Sequence, residues 1–161
     1  MQFGRERVFD FRRFHRWAGG RFPMVMVLLA VFVVAFLLQQ VAGWIAPGWV
    51  ETYLALTGEG LRHGYYWQLL TYMLLHGGVL HLAFNCLGLY FAGREVEILC
   101  GPRHLVAMVA SGGVVGGIVQ LLIGSDGTPL IGASAGVCAV LMAFCTILPE
   151  LEITVLVFFV I

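Results

Sequence analysis

Three polar side chains lie in stretches that are otherwise apolar, and their types and spacing could support acyl transfer. His81 and Asn85 are four residues apart, so on a helix they share one face. Ser134 lies within Gly132-Ala133-Ser134-Ala135-Gly136, where small neighbours leave room for a polypeptide backbone to come close. A hydroxyl in that setting is a candidate nucleophile. An imidazole and a carboxamide are candidate donors to the oxyanion that forms when a carbonyl is attacked. Taken singly, each has a plainer reading. A serine in an apolar helix commonly serves helix packing, and a His–Asn pair commonly makes a structural hydrogen bond. What gives the three residues weight is their meeting at one depth, which depends on the elements that carry them.

Those elements read as helices solvated by lipid. Of the 161 residues, 60% are hydrophobic and only 11% charged, with a mean hydropathy of +0.93. A soluble domain carries roughly 25% charged residues. The apolar character excludes intrinsic disorder. The formal net charge of +0 leaves no basic surface for nucleic acid. The four cysteines (Cys86, Cys100, Cys138, Cys145) form no CxxC pair and read as small buried hydrophobes. A first span is expected over Met24 to Leu38, interrupted by Gln39-Gln40 and extended by Val41 to Ile45. A wet aromatic segment from Pro47 to Tyr72 follows, with Trp49, Tyr53, Tyr65, Tyr66 and Trp67, and reads as a loop with short surface helices. The second span is expected from Val79 to about Ile98, the third from about His104 to Ile123, and the fourth from about Leu130 to Leu148. Charged residues Arg94, Glu95, Glu97 and Arg103 mark one turn, residues 124–129 a second, and residues 149–152 a third. The pairs Gly112/Gly116, Gly113/Gly117 and Gly132/Gly136 repeat at a spacing that lets helix backbones approach closely.

Orientation follows from the arginines. Six of the nine precede Phe22, in a tail interleaved with Phe3, Phe9, Phe11, Phe14 and Trp17. With that tail in the cytoplasm, eight of the nine lie inside and only Arg62 outside. His81 then sits near the outward end of the second span, and Ser134 about four residues inside the outward end of the fourth. Intramembrane polar groups are costly and tend to be functional, so the hydroxyl, imidazole and carboxamide together read as a serine hydrolase site near the outer face. Other chemistries fit less well. There is no HExxH for zinc and no pair of intramembrane carboxylates. No phosphate-binding glycine loop occurs either. His76, His81 and His104 cannot form a metal site, because His104 falls on the inner side.

At these residues the sequence resembles the rhomboid family of intramembrane serine proteases. Trp67-Gln68-Leu69-Leu70-Thr71-Tyr72 is similar to the family's outer-loop motif, and His76-xxxx-His81-xxx-Asn85 to its second-helix motif. Gly93 and Glu97 resemble the Gly/Glu pair that ends that helix. The stretch from Gly132 to Gly136 resembles the motif that opens helix four. The resemblance implies an all-α, polytopic membrane helix bundle over residues 22–161, preceded by an Arg-rich cytoplasmic tail at 1–21. It implies Ser134 as nucleophile, with His81, Asn85 and the Ser134 backbone N–H forming the oxyanion site. Trp67, Gln68, His76 and Glu97 take structural or loop-anchoring roles. The implied reaction is hydrolysis of a peptide bond in or beside a substrate's transmembrane segment, within a lipid bilayer. A bacterial inner membrane is the expected location, and neither cofactor, metal nor nucleic acid is implied.

The sequence departs from the family pattern in three places. Gln68 stands where an arginine is common, and Cys138 where an aromatic often packs against the base. The family's general base is a histidine on a sixth helix, and the fifth apolar run here spans only residues 153–161, about 14 Å as a helix. The reading is therefore of a chain truncated at its C-terminal side, with four complete spans and part of a fifth. The alternatives are a non-catalytic rhomboid-like protein that binds transmembrane segments, and an unrelated multipass scaffold or transporter. On the truncated reading the 161-residue polypeptide alone is expected to be nearly inert, because losing one member of a Ser–His pair costs several orders of magnitude in rate. Labelling of Ser134 in the 161-mer by a serine-directed phosphonate, at the rate of an intact rhomboid, would overturn that expectation.

Overall fold

The computed structural model describes residues 23–124 and 128–149. The tail at 1–21 and the apolar run at 153–161 lie outside the described residues, as does most of the 149–152 turn. Seven α-helices are described. Helix α1 is Met24–Ile45. Three short helices follow: α2 (Trp49–Leu54), α3 (Gly58–Arg62) and α4 (Gln68–Thr71). A 3-10 turn at Tyr72–Leu74 leads to α5 (Val79–Cys100), then α6 (Pro102–Ile123) and α7 (Ser134–Ile147). Among the described residues there is no named strand, only an isolated antiparallel bridge between Leu56 and Leu130. The all-α membrane bundle expected from the sequence is what the chain forms. Helices α1 and α6 are each long and apolar enough to cross a membrane, and the pair Gln68–Leu74 with Val79–Cys100 joins them if taken as one span bent by 99°.

The three long helices have 22 residues each, about 33 Å of rise, and are mostly apolar, with Arg94, Glu95 and Glu97 confined to the last turns of α5. Helix α1 is apolar on every side, so packing rather than periodicity selects the face it turns inward. Val25, Phe32 and Phe36 face the bundle, while Val34, Leu37, Leu38 and Val41 face outward. At its start, Pro23 offers no side-chain cap. The cap comes from α5 instead. The Met24 N–H donates to Glu97 Oε1 at 2.6 Å and the Val25 N–H to Glu97 Oε2 at 2.9 Å. A carboxylate at a helix N-terminus also meets the positive end of the macrodipole. Gly93, one turn before Glu97, lies where a Cβ would come within 3.2 Å of Val25 Cγ2. The Gly/Glu pair thus seats one end of α1 on α5, the glycine admitting Val25 and the carboxylate holding its amide. Replacing Glu97 by glutamine leaves one of the two amides without an acceptor and removes the charge. We expect a loss of about 1–3 kcal/mol, read as a lower midpoint in thermal unfolding followed by helical ellipticity. An unchanged midpoint would exclude the capping role.

The two overlapping glycine pairs of α6 face different neighbours. A Cβ at Gly112 would clash with Ala139 Cβ, and one at Gly116 with Ala135 Cβ, so this row admits α7. A Cβ at Gly113 would strike Met73 Sδ, and one at Gly117 would strike Leu56 Cδ2 at 2.7 Å, so that row admits the segment between α1 and α5. From α7, a Cβ at Gly136 would come within 2.6 Å of the Val109 carbonyl oxygen, as close as backbones can pass.

Two sequence expectations need correction. The fourth helix begins at Ser134 rather than near Leu130, and its 14 residues rise only about 21 Å. Its helical part is therefore shorter than the stretch expected from the sequence. Tertiary pairing removes residues 130–133 from the helix. Leu130 exchanges backbone hydrogen bonds with Leu56 (3.0 and 2.9 Å), the Gly132 N–H donates to the Tyr72 carbonyl at 2.9 Å, and Gly132 takes φ +116°. The charged turn after the second span is not a loop either. Arg94, Glu95 and Glu97 lie on the last turns of α5, and the link to α6 is Gly101 alone, at φ +91° with Pro102 opening the next helix.

Candidate active site

The segment between α1 and α5 is tied down by the residues of its motif. The Trp67 indole N–H donates to the Tyr53 carbonyl at 2.8 Å, and the Thr71 hydroxyl to the Leu54 carbonyl at 2.8 Å. Gln68 is fully buried. Its amide donates to the Thr52 carbonyl at 3.0 Å and accepts from the Thr57 N–H at 3.2 Å. An amide supplies both a donor and an acceptor, so Gln68 serves this loop with a neutral side chain where the family often has a cation. Tyr72 donates its hydroxyl to the Gly113 carbonyl at 2.7 Å and accepts the Gly132 N–H on its own carbonyl. The turn that leads into α7 is thereby fixed from two sides, by Leu56 and by Tyr72.

Onto that turn α5 lays His81. A Cβ at Gly132 would fall 2.6 Å from His81 Cε1 and 2.7 Å from His81 Nε2, so the imidazole rests on the glycine's backbone. The other ring nitrogen, Nδ1, accepts a long hydrogen bond from the Gly77 N–H at 3.4 Å. An amide can only donate, so in the neutral ring Nδ1 is the unprotonated nitrogen and Nε2 carries the proton. Asn85, buried one turn further on, donates to the His81 carbonyl at 3.1 Å, which uses one of the two protons on its amide nitrogen. Ser134, two residues past Gly132, is the first residue of α7 and has an exposed side chain. The first backbone bond of α7 runs from the Val137 N–H to Ala133, so the Ser134, Ala135 and Gly136 amides precede the helical ladder. The structure thus brings His81 to the turn that starts at Gly132 and ends on Ser134, with Asn85 bonded one helical turn away to the His81 carbonyl. It does not join Ser134 to His81 by a hydrogen bond.

His76 is buried, and neither ring nitrogen has a partner among the described residues. The ring packs 5.8 Å from Phe32 and lies edge-on to His81 at 5.2 Å between centroids. Gly93 and Glu97 lie at helix contacts away from this turn, and Gly136, two residues past Ser134, packs on Val109 of α6. Among the described residues no three His, Cys, Asp or Glu side chains gather as metal ligands. Cys138 is exposed on α7, one turn beyond Ser134. One contributor was missed by sequence reasoning. Gln39 of α1 holds the backbone of His76 at both ends, accepting its N–H at 2.9 Å and donating to its carbonyl at 3.0 Å. The available signal was its spacing, seven residues after Phe32 and three after Phe36, on the face that packs inward.

A helical bundle with apolar helices long enough to cross a membrane defines a class of integral, multi-pass membrane protein. The family model for the Rhomboid domain matches residues 63–161, and the chain belongs to the rhomboid family. It is similar to the Bacillus subtilis protein YdcA, at 29% identity over 99 residues, which are 60% of this chain and 48% of that one. GluP, a rhomboid protease of the same organism, is 28% identical over 121 residues, covering 73% of this chain and 23% of its own length. GlpG, a rhomboid protease of Pectobacterium atrosepticum, is 28% identical over 130 residues, covering 81% and 45% respectively. The chain spans less than half the length of each of these relatives.

Proposed function

We propose that the protein is an intramembrane serine endopeptidase that hydrolyses peptide bonds in or beside the transmembrane segments of other membrane proteins. Ser134 is the nucleophile, and His81 Nε2–H, the free amide proton of Asn85 and the Ser134 backbone N–H are the oxyanion donors. The observation that carries this reading is the seat of the His81 ring on Gly132, with Nδ1 turned to Gly77 and the donor nitrogen turned to the turn that presents Ser134. Ser134 Oγ attacks the scissile carbonyl carbon, and the negative charge moves to the carbonyl oxygen. Donors fixed before the reaction stabilise that charge without reorganisation, and in many acyl transfers this does more to lower the barrier than any other effect. In this tautomer His81 donates towards the turn and has no lone pair there, so it is not the general base. In the family that the sequence resembles, the serine proton passes to a histidine on a sixth helix.

Residues 22–161 form the rhomboid-like domain on this reading, and residues 1–21 a cytoplasmic Arg-rich tail. The site opens towards the outer face of the bilayer, in a bacterial inner membrane, and the chemistry needs neither metal nor cofactor. Burial of His76 and the loop bonds of Trp67 and Gln68 support structural roles for all three. The decisive experiment uses protein from the whole reading frame, reconstituted in vesicles with a single-span substrate. Cleavage must disappear when Ser134 is replaced by alanine.

A further inference from the structure

The packed face of α1 is apolar up to Phe36, and its next inward position is a carboxamide. A polar side chain at such a place is costly unless its hydrogen bonds are made. Gln39 makes two of them to a single residue, His76. That residue lies in the corner between the 3-10 turn and α5, where Leu75 is extended (φ −88°, ψ 148°) and Gly78 is too (φ 164°, ψ 171°). Extended backbone inside a bundle has no ladder of its own and must find partners elsewhere. Gln39 supplies them as a paired strand would, with one acceptor and one donor. The next amide along the chain is Gly77 N–H, the group that meets His81 Nδ1. The His76 ring, held from below by Phe32 of the same helix, abuts the His81 ring.

We propose that Gln39 is a positioning residue for the oxyanion site. By clamping the His76 backbone it fixes the Gly77 amide against His81 Nδ1, which keeps the Nε2 proton of His81 directed at the turn before Ser134. The inference rests on the role given to His81 above. It adds that the first transmembrane helix, which contributes no side chain to the reaction, sets the protonated nitrogen of a residue that does.

The test reads the His81 ring directly. The chain is labelled with 15N-histidine in lipid nanodiscs, and the His81 signals are assigned by their loss in His81→Gln. Imidazole 15N shifts distinguish the two neutral tautomers. The wild-type ring is expected as the Nε2–H form alone. In Gln39→Met, of similar length but without polar atoms, the Nδ1–H form is expected to appear alongside it while the helical ellipticity is kept. In protein from the whole reading frame the same variant is expected to lower kcat by about tenfold to a hundredfold, a misplacement effect, with KM unchanged because the oxyanion exists only beyond the ground state. A folded Gln39→Met variant with an unaltered His81 tautomer would overturn the proposal, as would a wild-type ring in the Nδ1–H form. If Gln39→Met does not fold, Gln39→Glu is read by the same two outcomes, since it keeps the acceptor for the His76 N–H and loses the donor to the His76 carbonyl. The tautomer does not depend on cleavage, so persistence of activity in Ser134→Ala would defeat the proposed function and leave this result to stand or fall by itself.

Discussion

Alanine at Ser134 is expected to abolish substrate cleavage, a fall of at least about a thousandfold in kcat, while leaving the fold as it is. The two halves of that expectation have separate causes. The catalytic half follows from the missing bond: without Oγ no acyl-enzyme forms, and the oxyanion donors alone act only on a weak nucleophile such as water. The structural half follows from the position. Ser134 opens α7 with an exposed side chain, and among the described residues its hydroxyl caps nothing and accepts no hydrogen bond. Substitutions of this kind shift stability by no more than about 0.5 kcal/mol. The measurement is cleavage of a single-span substrate in vesicles, with thermal unfolding of both proteins as the control. Undiminished cleavage by a folded Ser134→Ala protein would sink the serine-protease reading. Loss of cleavage together with loss of fold would show that Ser134 holds the bundle together, contrary to its surroundings. Retained binding of the substrate by the inactive variant is expected as well, because the hydroxyl adds little to the ground state.

The parts of this site that were legible from sequence are those whose partners lie within one helix. The four-residue spacing of His81 and Asn85 is such a case, and the Asn85 amide does reach the His81 carbonyl one turn back. Small residues at Gly112, Gly113, Gly116 and Gly117 announced close helix contacts by their spacing within one helix. Their spacing could not say that one row meets α7 and the other meets Met73 and Leu56, since that choice belongs to the neighbours. The start of α7 was misplaced because Leu130 and Ile131 are as apolar as the helix that follows. Only the pairing of Leu130 with Leu56, far away in sequence, draws that stretch out straight. Glu97 and Gln39 illustrate the harder problem. Glu97 caps a helix that begins 73 residues earlier, and Gln39 binds a backbone corner 37 residues later. Backbone acceptors and donors carry no residue-type signature, so a side chain that serves them reads as an unexplained polar residue. The family resemblance supplied a structural role for Glu97, whereas for Gln39 the residues offered only its spacing from Phe32 and Phe36, which does not name a partner.

Gly132→Ala is the second substitution with a large expected effect, and it separates positioning from folding. At φ +116° an L-residue suffers of order 1–3 kcal/mol of backbone strain. The new methyl would stand 2.6 Å from His81 Cε1 and 2.7 Å from Nε2, so one of the two must move. The backbone of Gly132 is held by the Tyr72 carbonyl, two residues from the Leu130 pairing, and has little freedom. The imidazole is held by a single long bond from Gly77, at 3.4 Å, and is the softer side. We therefore expect the ring to swing off the turn and carry its Nε2 proton away from the place where the oxyanion forms. Loss of one such donor lowers kcat by about a hundredfold to a thousandfold. KM should change little, because the donor acts on charge that appears only in the transition state. Gly136→Ala provides the contrast. Its methyl would meet the Val109 carbonyl oxygen at 2.6 Å, backbone against backbone, where no ring can turn aside. That variant is expected to lose stability by about 1–3 kcal/mol through overpacking of α6 against α7. Its kcat should be the less affected of the two, because Gly136 touches no donor of the site. If Gly132→Ala kept its kcat and lost only stability, the ring on Gly132 would be packing and not an oxyanion donor, and the assignment of His81 would fail with it.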